Sequence, residues 1–214
     1  MKNKQVIGIY LAAGKSSRMG CNKLKLPLDN YNETLGSIAF KVALHSSLDH
    51  LIVVTNEEDS LGWSSPTFLS APYRSKWTHL RCKSSAEGQS GSIKCGLHKA
   101  LELKPEAIMI MLADQPFITV EMINSIIDEY MNQKSAYFIA SSYQNTIRPP
   151  ILCSHKMFRL LMHLEGDKGA RYILRKKEWR EKGIVLHFEN PIPFLDVDTI
   201  EDYLYANNIK GTLE

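Results

Sequence analysis

The chain has 214 residues, of which 44% are hydrophobic and 23% charged, the ordinary globular mix, which argues against disordered and fibrous classes. Its 26 Lys and Arg against 23 Asp and Glu leave a net charge of +3, too little for a dedicated binder of nucleic acid or of a membrane surface. No apolar run approaches the ~20 residues that span a bilayer, and the length suits one domain over residues 1–214.

The first element is the continuous apolar run 6–12. After Met1-Lys2-Asn3-Lys4 it imitates an export signal, but Gly14-Lys15-Ser16-Ser17-Arg18 follows at once, so it reads as a buried strand. Leu35, Ile38, Ala39 and Val42 recur at helical spacing, and the run 51–55 is a second strand candidate. Residues 56–73, rich in Ser, Pro and Gly, read as a surface loop. A helix over 92–103, a buried strand over 107–112 and a helix through Ile123, Ile126, Ile127 and Tyr130, capped by Thr119, come next. Weaker strands are expected at 137–141 and 184–188, a helix at 157–164, and a last helix at 199–208 capped by Asp198 or Thr199. Strands apolar on both faces that alternate with helices predict an α/β fold, an open sheet wound from strand–helix–strand units.

Cys21, Cys82, Cys95 and Cys153 are scattered, with no C-x-x-C pair. They read as free thiols in a reducing cytoplasm rather than as a disulfide framework or a zinc site. The seven histidines show no metal-binding spacing, and structural roles are expected for them.

Two strings at the exits of apolar runs carry chemistry. Leu11-Ala12-Ala13-Gly14-Lys15-Ser16-Ser17-Arg18-Met19-Gly20 leaves the first strand where open α/β sheets bind ligands. Small residues let main-chain N–H groups approach an anion, and Arg18 and Lys23 add full charges for phosphate oxygens. The string fits neither the dinucleotide fingerprint nor the Walker A pattern. Ala113-Asp114-Gln115-Pro116 ends the strand at 107–112. A carboxylate there, near a triphosphate, is a natural Mg²⁺ ligand.

The first string, continued by Lys23-Leu24 and Leu26-Pro27-Leu28, resembles the nucleotidyltransferase signature of the MobA-like family. Within it the chain is most similar to molybdenum cofactor cytidylyltransferases, including accessory proteins that serve xanthine dehydrogenase and purine catabolism. The resemblance implies a Rossmann-like, mostly parallel sheet with helices on both faces. It implies that Leu11, Ala12, Ala13, Gly14, Lys15, Ser16, Arg18 and Lys23 bind the nucleotide triphosphate, with Arg18, Lys23 and Asp114 catalytic. Gly88 and Ser90, in Glu87-Gly88-Gln89-Ser90-x-Ser92, match a segment lining the nucleotide pocket; the position of Gln89 varies in the family, so it is left out. Gly166-Asp167-Lys168-Gly169-Ala170-Arg171 matches an acceptor-side motif of the cytidylyltransferase branch, giving Asp167 and Arg171, with Gln115, as acceptor-binding candidates. Asp196-Val197-Asp198-Thr199 matches the terminal acidic motif, and Asp196 ranks ahead of Asp198 as a second metal ligand beside Asp114. Two departures stand out: Lys25 replaces the usual Leu, and Arg148-Pro149-Pro150-Ile151 stands where relatives often have Gly-x-Pro-Val.

The implied substrates are CTP and the molybdopterin cofactor, with Mg²⁺ as cofactor and transient contact with an apo-molybdoenzyme. Ala13, where guanylyl-transferring relatives generally have Gly, favours the smaller pyrimidine. Transfer of GMP, transfer to a sugar or alditol phosphate, and a non-catalytic delivery role are the alternatives.

Overall fold

The protein is described by a computed structural model covering residues 5–14, 19–28 and 33–209. In chain order the strands are β1 (Val6–Leu11), β2 (Pro27–Leu28), β3 (Glu33–Thr34), β4 (His50–Thr55), β5 (Trp77–Arg81), β6 (Ala107–Leu112), β7 (Phe138–Tyr143), β8 (Thr146–Ser154) and β9 (Ile184–His187). The helices are α1 (Leu35–His45), α2 (Gln89–Leu101), α3 (Val120–Asn132), α4 (Phe158–Met162), α5 (Ala170–Leu174), α6 (Lys177–Arg180) and α7 (Ile200–Asn208). Thr119 caps α3 by accepting the Met122 N–H. Thr199, not Asp198, caps α7, and Asp202 returns the bond to complete a capping box.

Seven strands form one sheet in the order β5-β4-β1-β6-β8-β7-β9. The pairs among β5, β4, β1 and β6 are parallel; β8 runs antiparallel to both β6 and β7. The sheet is therefore mixed and mostly parallel, as expected. Successive residues of β1 serve opposite faces: Val6 and Tyr10 join α1 and α3 in one core, while Ile7, Ile9 and Leu11 join α2, α4 and α5 in the other. Cover on both faces is why β1, β4 and β6 carry apolar residues at consecutive positions.

Two expectations need correction. Residues 56–73 are more than a surface loop: Leu61, Trp63 and Phe68 are buried. Trp63 packs against Tyr10 and Phe40, and its indole N–H donates to Asp59. The aromatic surface outweighs the polar residues around it. Second, Cys82 and Cys95 form a disulfide, with Cα atoms 6.1 Å apart, while Cys21 and Cys153 are free. The fold packs α2 beside the end of β5, a proximity that a spacing of 13 residues does not announce. Lys25, the departure noted in the first string, lies in a 3-10 turn, Lys23–Lys25.

Candidate active site

The site lies beyond the ends of β1 and β6. The main chain after β1 is held between its neighbours: the Ala12 N–H donates to Val54 and the Ala113 N–H to Leu11. Residues 11–14 line a cleft of about 440 Å³ together with Ser85 to Gln89, Ser92, Lys23, Asp114 and Asp167. Lys15, Ser16 and Arg18 lie outside the described residues. A second cleft of about 310 Å³ is lined by Arg148, Lys168, Arg171, Arg175, Asp196 and Asp198 among others. Gln89, Leu112, Asp114 and Asp167 line both clefts, so the two meet at the end of β6.

Asn22 accepts the Leu24 N–H and starts the turn that carries Lys23 inward. The Lys23 side chain is buried, and its Nζ donates to Asp114 Oδ2 and Asp198 Oδ1, each at 2.7 Å. Burial pulls the ammonium pKa down, but the charges and hydrogen bonds of Asp114 and Asp198 outweigh it and leave it raised. The segment carrying Asp198 is fixed because the Val197 N–H donates to the Asp114 carbonyl.

Asp196 faces a different set. Gln115 Nε2 donates to its Oδ1 at 2.8 Å, and Arg148 Nη1 stands 3.5 Å from its Oδ2. Burial raises the Asp196 pKa, as do the charges of Asp114 and Asp198, against the Gln115 hydrogen bond and Arg148. Three buried polar atoms here have no hydrogen-bond partner among the described residues: Asp114 Oδ1, Gln115 Oε1 and Arg148 Nε. Among the described residues, no group of three or more His, Cys, Asp or Glu gathers as a metal cluster, and none of their helices is long and apolar enough to cross a membrane.

Gly88 precedes α2 with φ +110°, a conformation that disfavours side chains. A Cβ there would lie 2.5 Å from Asp167 Oδ1 and 2.6 Å from the Gly166 carbonyl. The Ser90 N–H donates to that same carbonyl at 3.1 Å. The string 166–171 is thus docked on the first turn of α2, which brings Asp167 to the junction and Arg171 to the second cleft. Ser90 itself is buried behind the wall, whereas Gln89 reaches both clefts. Sequence reasoning set Gln89 aside because its position varies. The signal it offered was Gly169, where an added Cβ would run into Gln89 Oε1.

The candidates from distant strings therefore converge. Leu11 to Gly14, Lys23, Gly88, Asp114, Gln115, Asp167, Arg171 and Asp196 share two joined clefts.

The chain matches the MobA-like NTP transferase domain over residues 8–182. It is 37% identical over 204 residues to the purine catabolism protein PucB of Bacillus subtilis (strain 168), covering 95% of this chain and 96% of that one. A relative named probable molybdenum cofactor guanylyltransferase, from Natranaerobius thermophilus, is 30% identical over 223 residues, covering 98% of each. Among solved structures, the Mycobacterium sp. strain JC1 homologue of Mycobacterium tuberculosis Rv0371c superposes with a TM-score of 0.72 at 29% identity, covering 94% of both chains. A mostly parallel sheet, a cleft at the exits of β1 and β6 and a family match across most of the length lead to one conclusion: the chain belongs to the MobA-like NTP transferase family.

Proposed function

We propose that the protein transfers CMP from CTP to the phosphate of molybdopterin, giving the cytosine dinucleotide cofactor and pyrophosphate for a molybdenum hydroxylase such as xanthine dehydrogenase. The observation that carries this reading is the meeting of two clefts at Asp114, one lined by the small residues after β1 and before α2 and the other carrying Arg148, Lys168, Arg171 and Arg175 beside its aspartates. A donor triphosphate suits the first and a phosphate-bearing acceptor the second. The PucB resemblance supports the link to purine catabolism.

The acceptor phosphate, with a second pKa near ~6, is already an anion at neutral pH and needs no strong base. Its oxygen attacks the α-phosphorus of CTP; the bond to the β-phosphate oxygen breaks, and pyrophosphate leaves with the electron pair. The barrier is the meeting of two anions, so positioning and charge neutralisation are what the chain must supply. Arg18 is assigned to the triphosphate. Lys23 orients the Asp114 carboxylate and brings positive charge to the first cleft. Asp167 and Arg171 line the acceptor side with Gln115.

The residues suit Mg²⁺. Asp114 Oδ1 is a buried carboxylate oxygen with no hydrogen-bond partner among the described residues, and like charge crowds Asp196 beside it. Asp114, with Asp196 as the second carboxylate, would hold the ion, and Gln115 orients Asp196 through its Oδ1. When bound, the ion neutralises charge on the donor phosphates.

Ala13 is buried in the wall of the first cleft and favours a pyrimidine over a guanine. Transfer of GMP is the second reading, favoured by the name of the guanylyltransferase relative. The test is to incubate the purified protein with molybdopterin cofactor, Mg²⁺ and each nucleoside triphosphate, and to identify the product by mass. A cytidine dinucleotide is expected. A guanosine dinucleotide supports the second reading, and pyrophosphate release only with sugar or alditol phosphates overturns both.

A further inference from the structure

The wall of the second cleft contains a feature of its own. β7 and β8 pair in register at Ile139↔Leu152 and Ala140↔Ile151, and then jump to Ser141↔Arg148. Pro149 and Pro150 therefore bulge from β8, where missing N–H donors cost no ladder bond. The buried Ser141 hydroxyl shares its one proton between the carbonyls of Arg148 and Pro150, at 2.7 and 3.1 Å, and closes the bulge from within. Pairing of β6 with β8 ends at Ile110↔Ile151. Arg148 thus stands just past that edge, on the side where the chain leaves β6 for Asp114.

The guanidinium is incompletely satisfied there. Its one carboxylate partner is Asp196 at 3.5 Å, the outer limit of a hydrogen bond. Its Nε is buried with no partner among the described residues. The neighbouring Gln115 is 1% exposed and donates to Asp196, while its own Oε1 has no partner among them. Unmade bonds of this kind carry a desolvation cost and call for an explanation, such as a ligand that completes them. A half-buried ion pair at 3.5 Å does not account for the bulge that brings Arg148 to the cleft. A planar fork of N–H donors matches phosphate oxygens two at a time.

We infer that Arg148 is an acceptor-binding residue, its guanidinium taking the oxygens of a phosphate monoester on the acceptor side of Asp114. The inference rests on the reading above that the second cleft receives the acceptor. It concerns the phosphate-monoester class, whatever group the phosphate carries.

The experiment is a calorimetric titration of wild type, Arg148→Lys and Arg148→Ala with molybdopterin cofactor, with ribitol 5-phosphate and with CTP plus Mg²⁺. Arg148→Ala is expected to weaken binding of the acceptor that wild type takes by about 10- to 100-fold, the scale of hydrogen bonds to a charged group. CTP affinity should stay within about twofold, which also reports that the variant is folded. Arg148→Lys should recover only part of the loss, because a point charge replaces a fork. Unchanged acceptor affinity in Arg148→Ala, or an equal loss for CTP, overturns the inference and leaves the proposed reaction standing. Wild type that binds ribitol 5-phosphate but not the pterin overturns the proposed reaction and leaves Arg148 to be judged on the sugar phosphate. Wild type that binds neither overturns both.

Discussion

The two clefts that meet at Asp114 are built by different means. The first is lined largely by turns, namely the segment after β1, the Lys83–Glu87 turn and Gly88, and its cation among the described residues, Lys23, is held by two aspartates. The second is lined by many charged residues, with Arg148, Lys168, Arg171 and Arg175 facing the same space as Asp114, Asp167, Asp196 and Asp198. A lining of turns is altered mainly by changing the conformation of the chain. A lining of charged side chains can be altered one substitution at a time. The donor site is therefore expected to tolerate little, and the acceptor site to be where a chain of this fold sets its choice of substrate.

That contrast breaks most readily at the junction. Asp114→Asn should lower kcat by about 10²–10³-fold, the usual scale for removing one element of charge stabilisation. It should also abolish Mn²⁺ binding measured by electron paramagnetic resonance. Retained activity and retained metal binding would remove Asp114 from both roles.

Lys23→Met should act on the donor side alone, raising the KM for CTP and slowing turnover by about tenfold or more, with acceptor binding unchanged. It also leaves Asp114 and Asp198 facing each other, for a stability loss of about 1–3 kcal/mol. Because the folded pKa of Lys23 is raised, its stabilisation is complete below the ordinary lysine value and is lost as pH rises through the folded one. The difference in Tm between wild type and variant should therefore be flat from about pH 6 to 9 and shrink only above about pH 10. A difference that shrinks between pH 7 and 9 would contradict the clamp.

Gly88→Ala sharpens the claim that turns line the first cleft. Positive φ and the approach to Gly166 and Asp167 predict a loss of about 1–3 kcal/mol. Because Gly88 ties the acceptor string to α2, both KM values should rise, which separates this variant from Lys23→Met. The smallest effect on activity is expected from Cys95→Ser, because neither cysteine lines a cleft. Opening the Cys82–Cys95 bridge should cost at most about 3 kcal/mol for so short a loop. The loss should appear by thermal melting without reductant and vanish with it.

How much of this was legible beforehand follows from where the information lies. β1, β4 and β6 are buried on both faces, and that burial writes itself as consecutive apolar residues. β5 is an edge strand whose middle residues are half-buried, so Trp77-Thr78-His79-Leu80-Arg81 carries no such run. β8 contains Pro149 and Pro150, which argue against a strand until the bulge that admits them is seen. The site residues were named from their strings, yet their pairings were not. Lys23 and Asp114 are 91 positions apart, and Gln115 and Asp196 81, distances over which only the assembled sheet brings side chains together. The same holds for the disulfide and for Gln89, whose reach into both clefts depends on how α2 meets the string 166–171.

The account turns on a donor phosphate brought to Asp114 from one cleft and an acceptor from the other. A crystal structure with Mg²⁺ and a non-hydrolysable CTP analogue tests it most directly. The account predicts the triphosphate along residues 11–14, with the α-phosphorus beside Asp114 and the Arg148 cleft left open. A nucleotide bound among Arg148, Arg171 and Arg175, with its α-phosphorus away from Asp114, would contradict it.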